Sequence, residues 1–204
     1  MTRHASSAAR YHHLATHFSN LIDAVAAELW SNPSPCEGWT ALDVVHHVVT
    51  TQAEFLGRMP FGPARPLDLE GVTDPDQVAA AWTVVRDHVQ SALDDPQTAE
   101  HPYDGYFGPT TFAASIETFY ASDLAVHAWD VAMATGLVEF QVLDPDEIER
   151  HYTEFADLGD TMRQPGIFGA ELTPELDADE QTRFLAHLGR HEPIEAARQR
   201  RAAQ

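Results

Sequence analysis

The stretch DLAVHAWDVAMATG, residues 123–136, reads as the second half of a long helix that stops at a glycine. Extended backwards through TFAASIETFYAS, steps of three and four give Phe112, Ile116, Phe119 and Tyr120, then Asp123, His127, Val131 and Ala134. That stripe is apolar except at Asp123 and His127, which stand one turn apart. A carboxylate turned toward a core is costly unless it is hydrogen-bonded, paired with a charge or bound to a metal. The segment therefore promises a helix central to the fold and some compensation for Asp123. Gly136 suits the left-handed position that closes such a helix.

The same period recurs on either side. Over about residues 8–30, Leu14, Phe18, Leu21, Ile22, Val25 and Leu29 mark an amphipathic first helix, which SNPSPCEG ends. Thr40, with Asp43 three residues on, is a capping-box variant opening a second helix that runs to about residue 58. Asp74 and Pro75 open a third, with Val78, Trp82, Val85, Val89 and Leu93 inward. The segments MPFGPARPLDLEG and QTAEHPYDGYFGP read as loops, and the opening helix then runs from about residue 111 to 135. A second Asp-Pro start in LDPDEIERHYTEFADLGDTM predicts a fifth helix with Ile148, Phe155 and Leu158 inward, and DADEQTRFLAHLG a short sixth. No strand pattern stands out, and EAARQRRAAQ reads as a solvent-facing tail, about residues 191–204, that frays. The expectation is all-α: an antiparallel four-helix bundle with additional short C-terminal helices, in a single domain over residues 1–204.

Composition narrows the function classes. Twelve Lys and Arg against 32 Asp and Glu leave a formal net charge of −20, which repels a phosphate backbone and an anionic membrane surface alike. Nucleic acid and membranes are therefore not expected partners. The single cysteine, Cys36, excludes an internal disulfide and every Cys-rich metal site, in keeping with a reducing cytoplasm. No apolar run is long enough to span a bilayer, and MTRHASSAARYHH lacks the apolar core of a signal peptide. A cytoplasmic location is expected.

Helix bundles build metal sites from side chains on facing helices, and an i, i+4 pair places two donors on one face. Asp123 and His127 form such a pair and need a third donor from another helix. The second helix offers DVVHHVV, where His46 and His47 fall on opposite flanks of the apolar face and periodicity does not choose between them. The competing reading is a satisfied Asp123–His127 polar pair at the edge of the core. His13 and His17 share the spacing but read as surface or packing residues. Cys36 reads as a small buried hydrophobe, and Trp39, Trp82 and Trp129 as core anchors. Asp130, one turn beyond His127, either holds a ligand's second nitrogen or faces solvent. There is no glycine-rich phosphate cradle, no Gly-x-Ser-x-Gly elbow and no His-Glu-x-x-His.

Together SPCEGWTALDVVHHVV, DLAVHAWDVAMATG and the late GIFGAELTP…FLAHLGR resemble an actinobacterial family of metal-binding proteins. That family is related to the mycothiol-dependent maleylpyruvate isomerases and, more distantly, to DinB-like bundles. The resemblance runs from the first helix to about Arg190. It implies a DinB-like four-helix bundle and carries the ligand histidine of the second helix onto His47, with the other metal ligands at Asp123 and His127. The isomerases have Glu where this chain has Asp123, and they tend to carry a further C-terminal domain for which this chain has little room.

Two nitrogens and one carboxylate oxygen leave a coordination position for water or substrate, with zinc the first expectation and nickel a second. By resemblance, the open position takes the sulfur of a small thiol such as mycothiol. The implied function is a thiol-dependent transferase or isomerase acting on an electrophilic small molecule. A hydrolase using metal-activated water and a non-catalytic metal- or ligand-binding module are the alternatives. Related bundles can pair into homo-oligomers through exposed helix faces, none of which the sequence singles out.

Overall fold

The computed structural model describes residues 6–63, 67–155 and 169–202. Helix α1 spans Ser7–Ala24, capped by the Ser6 hydroxyl. It ends six residues short of the expected boundary, because Val25 is extended and Ala27–Leu29 tighten into a 3₁₀ turn. Helix α2, Ala41–Arg58, begins with the capping box the sequence promises: Thr40 Oγ1 accepts from the Asp43 amide, and the Asp43 carboxylate accepts from the Thr40 amide. Helix α3, Pro75–Asp94, opens on the Asp74 cap.

The segment read as a loop after α3 holds a short helix, α4 (Pro96–Ala99), and an antiparallel hairpin of β1 (Pro102–Gly105) and β2 (Gly108–Thr111). Four-residue strands without alternating apolar residues leave no period to read. The turn is marked only by Gly105 facing Gly108 across Tyr106 and Phe107.

The long helix of the opening stretch is a composite. One turn of α5 (Phe112–Ser115) runs into a π-helical segment, Ile116–Ala121, and then into α6, Ser122–Thr135, which Gly136 closes at φ 72°. The inward residues are Phe112, Ile116, Ala121, Leu124, Ala128 and Val131. Between Ile116 and Ala121 the step is five residues rather than four, the signature of the wide turn. One extra residue turns everything downstream by roughly 100° relative to a continuous α-helix. The simple stripe therefore misplaces Phe119 and Tyr120, which are half-buried and lie against Phe107 and Phe55. It also places Asp123 too far inward: its side chain is 32% exposed, on the flank of the core face.

Helices α1, α2, α3 and α6 form the bundle, with α6 against α1 and α2, and α3 packed on the same two helices. The antiparallel sense of α1 and α2 is visible in the hydrogen bond from the Tyr11 hydroxyl, early in α1, to Gln52, late in α2, at 2.7 Å. The core of this bundle is anchored by Trp82, Phe18 and Phe112. A smaller cluster lies on the opposite side of α6, where Val126 and Trp129 meet Leu143, Ile148, Phe184, Leu185 and Leu188. These residues belong to α7 (Pro145–Phe155), α8 (Glu180–His187) and their flanking segments. Leu158, expected inward on the fifth helix, lies outside the described residues.

The C-terminal stretch departs from the fraying tail. Residues Ile194–Ala202 form α9, and Arg200 is 2% exposed, bonded to Glu192 and Asp179 at 2.8 Å each. Its polar composition conceals docking through buried ion pairs, with Ala197 the buried apolar residue of the helix. No helix among the described residues is long and apolar enough to cross a membrane.

Because α2 carries one of the candidate ligands, its cap is worth testing. Thr40→Ala removes the hydroxyl that serves the Asp43 amide, and the protein should lose about 1 kcal/mol, read from the urea midpoint at an unchanged denaturant slope.

Candidate metal centre

The two histidines of α2 part company in the structure. Val44, Val45, Val48 and Val49 are all buried, so the apolar face of α2 is broad and His46 and His47 emerge on either side of it. His46 turns to the loop beyond α2, where its Nε2 meets the Leu69 carbonyl at 2.9 Å. His47 faces α6. Its Nε2 stands 3.7 Å from one oxygen of Asp123, whose other oxygen is 3.2 Å from His127 Nε2. One donor atom from each of His47, Asp123 and His127 lies within 4.8 Å of the other two. Two ligands at about 2.0 Å from a tetrahedral zinc would stand roughly 3.3 Å apart, a separation that the two measured contacts to Asp123 bracket.

Behind these three residues is a second polar layer. Asp130 is wholly buried, and its Oδ2 accepts from His127 Nδ1 at 2.9 Å. The same carboxylate takes a forked pair from Arg190, at 2.8 Å from Nη2 and 2.9 Å from Nε. The Cys36 thiol donates to Asp130 Oδ2 at 3.2 Å and lies 3.6 Å from Arg190 Nη2. Asp130 thus faces inward and holds the second nitrogen of His127, and Cys36 is a half-buried partner of that carboxylate. Trp39 also differs from a pure core anchor: it is half-buried with its ring 4.9 Å from that of His47. Trp82 and Trp129 are core residues, at 1% and 0% exposure. His13 is exposed and His17 packs on Phe140, as the packing reading has it.

Cys36, His127 and Asp130 also offer three donors within 4.8 Å of one another. That grouping already contains a cation, because the Arg190 guanidinium sits on both Asp130 and Cys36. The Asp123 grouping includes no arginine or lysine hydrogen bond among the described residues, only the two imidazoles. Charge compensation therefore favours a metal between His47, Asp123 and His127 and disfavours one on the buried side.

Electrostatics agree with that division. Burial acts to lower the pKa of His127, but the Asp123 carboxylate and the hydrogen bonds that the ring donates to both aspartates outweigh it and hold the imidazole well above its ordinary value. Burial acts to raise Asp130, and Arg190 with His127 overrides it, so this carboxyl stays far below the usual range. Asp123 is lowered in the same sense, chiefly by His127 against its own desolvation. His47 is lowered, burial outweighing the pull of Asp123. It stands ready as a neutral donor. His127, with no metal present, carries a proton on the nitrogen that would face the ion.

Arg190 was not singled out as a site residue by sequence reasoning. It follows Gly189, whose φ of 78° ends α8, and whose missing side chain leaves room for the backbone of Gly169, to whose Cα an added Cβ would come within 2.7 Å. The Leu-Gly-Arg ending of a helix is the available signal, but what the arginine turns toward is a tertiary matter.

Residues 11–132 match the family model of the mycothiol maleylpyruvate isomerase N-terminal domain. The chain belongs to that family. An uncharacterized protein of Mycobacterium tuberculosis is 31% identical over 179 residues, covering 85% of this chain and 91% of that protein. A second uncharacterized protein of the same organism is 28% identical over 146 residues, 59% of this chain and 54% of that protein. No solved structure matches the chain. Within the mycothiol maleylpyruvate isomerase N-terminal domain family the helical fold is DinB-like, as the resemblance implies. The matched span takes in Cys36, His47, Asp123, His127 and Asp130, while Arg190 lies beyond it.

A raised folded-state histidine pKa stabilises the protein fully below about pH 6.5, and that contribution fades as pH climbs through the raised value. In chelator-treated protein the melting temperature should fall over that upper range. If zinc binds at His127 it would replace that proton, so saturating zinc should reverse the trend, and calorimetry in buffers of different ionisation enthalpy should register proton release.

Proposed function

We propose that His47 Nε2, the Asp123 carboxylate and His127 Nε2 hold one divalent ion, zinc in the first instance and nickel as the alternative, and that the site works with a small-molecule thiol of the mycothiol class. The observation that carries this reading is the convergence of three donors from α2 and α6 around a carboxylate with no arginine or lysine hydrogen bond among the described residues. Family membership supports the thiol. A bound ion would supply the Lewis acidity that removes the thiol proton near neutral pH and directs the sulfur at an electrophilic carbon.

The protein's own residues divide the remaining work. Asp130 fixes the His127 ring by accepting the hydrogen bond from its Nδ1–H, so that Nε2 would present a lone pair to the ion once its own proton has left. Arg190 and Cys36 in turn donate to Asp130 and compensate its buried charge. Trp39 packs its ring against one side of His47, with centroids 4.9 Å apart. His47 and Asp123, at 29% and 32% side-chain exposure, form the open edge by which a thiol and its electrophilic partner would enter. A three-residue donor set leaves room for such a ligand, which a closed structural site would not. The reaction class that fits is transfer or isomerisation through the thiol, with no protein nucleophile needed.

Plasma mass spectrometry on protein purified without a histidine tag should find about one divalent ion per chain, and His47→Ala and Asp123→Ala should each lose it. A wild type that is metal-free and refuses zinc and nickel would leave Asp123 and His127 as a polar pair at the edge of the core and end this reading. In the cobalt-substituted protein, mycothiol should shift the visible absorption bands. Unchanged bands would sink the thiol assignment while leaving the ligands in place.

A further inference from the structure

Asp123 is the second residue after a π-helical segment, and that segment is clamped from outside. Arg10, on the first turn of α1, is 4% exposed. Its Nη1 donates to the Glu117 carbonyl, inside the wide turn, at 2.6 Å. Its Nη2 reaches Ser122 Oγ, at the end of that turn and directly before Asp123, at 3.5 Å. The Glu117 side chain is tied down as well, by the Ser7 hydroxyl at 2.7 Å and by Arg150 at 3.3 Å. Glu147 of α7 holds the guanidinium through Nε and Nη2, the latter at 2.6 Å, and Glu154 lies 3.4 Å from Nη1.

We infer that Arg10 is a positioning residue for the metal centre: by bridging Glu117 and Ser122 it holds the five-residue step that brings Asp123 to the flank of α6, opposite His47. The inference rests on the ligand set proposed above. A π turn is less favourable than the α-helix on either side of it and persists where the surroundings over-determine it. Relaxation to a regular α-helix would rotate Asp123 relative to α5 by roughly 100° per residue removed from the turn. It would carry the carboxylate toward the core and away from His47. The guanidinium spreads five donors over three nitrogens in a fixed plane and so spans a carbonyl, a hydroxyl and a carboxylate set apart from one another, whereas an ammonium group offers three donors from a single atom.

The test is cobalt titration of Arg10→Met and Arg10→Lys beside the wild type, with Val85→Ala as a control that loses core packing on α3 and takes no part in the hydrogen bonds around the wide turn. Circular dichroism and melting curves accompany each titration, so that an unfolded variant is recognised. Arg10→Met should bind cobalt at least about 10-fold more weakly, with altered visible bands reporting a changed ligand field. Arg10→Lys should remain weaker than the wild type. Val85→Ala should melt earlier yet bind with wild-type affinity and an unaltered spectrum. Wild-type affinity and spectrum in folded Arg10→Met, full recovery by lysine, or an equal loss in Val85→Ala would overturn the inference alone. A wild type that takes up no cobalt would overturn the ligand assignment and this inference with it. Should Arg10→Met not fold, Glu147→Gln removes the anionic anchor of the guanidinium, and an unaltered cobalt spectrum there counts against the clamp.

Discussion

A carboxylate with no exposed surface at all must be compensated within the protein, and Asp130 is such a carboxylate. Its compensation draws on three parts of the chain: Arg190 beyond α8, Cys36 in the connection between α1 and α2, and His127 one turn earlier on its own helix. Removing any of these leaves a buried charge short of a partner, so the polar cluster ties the C-terminal layer and the α1–α2 connection to α6 alongside the apolar contacts. It also sets the His127 ring in one orientation. The chemistry attributed to the outer face of that ring depends on a charge balance established behind it.

Helix α6 is accordingly buried on two sides. One side completes the four-helix core through Leu124, Ala128 and Val131, and the other meets α7 and α8 through Val126 and Trp129. Between these apolar faces runs a polar seam of Asp123, His127 and Asp130, graded from a third exposed to wholly buried. The gradient separates roles. The exposed end can admit a ligand, and the buried end can only orient what lies in front of it.

Several parts of this arrangement are legible in the sequence because they depend on local chemistry. The Thr40 and Asp74 caps, Pro75 at the first helical turn, the Gly136 stop and the apolar periods of α1, α2 and α3 follow from the backbone's needs at helix ends and from a repeat of 3.6 residues. The hairpin and α9 escaped because their signals are not apolar periodicity: one is too short to show a period, and the other docks through Arg200, Glu192 and Asp179. The wide turn escaped for a different reason. Both Tyr120 and Ala121 are plausible continuations of a stripe through Ile116, and only tertiary contacts, with α1 above all, select the second.

The sequence by itself determined an all-α bundle and a short roster of donors, Asp123 and His127 among them, since helical spacing alone puts those two side by side. It left His46 and His47 equivalent, because adjacent residues on a helix with a broad apolar face flank it symmetrically. Tertiary structure sets them in different surroundings: α6 lies on the His47 side, whereas a loop carbonyl lies on the other. Tertiary structure alone also made Asp130 a buried partner of Arg190, sixty residues away in the chain. Such a pairing has no local period or cap to announce it, because it arises from the cost of desolvating a charge, and that cost exists only once the chain has closed around it.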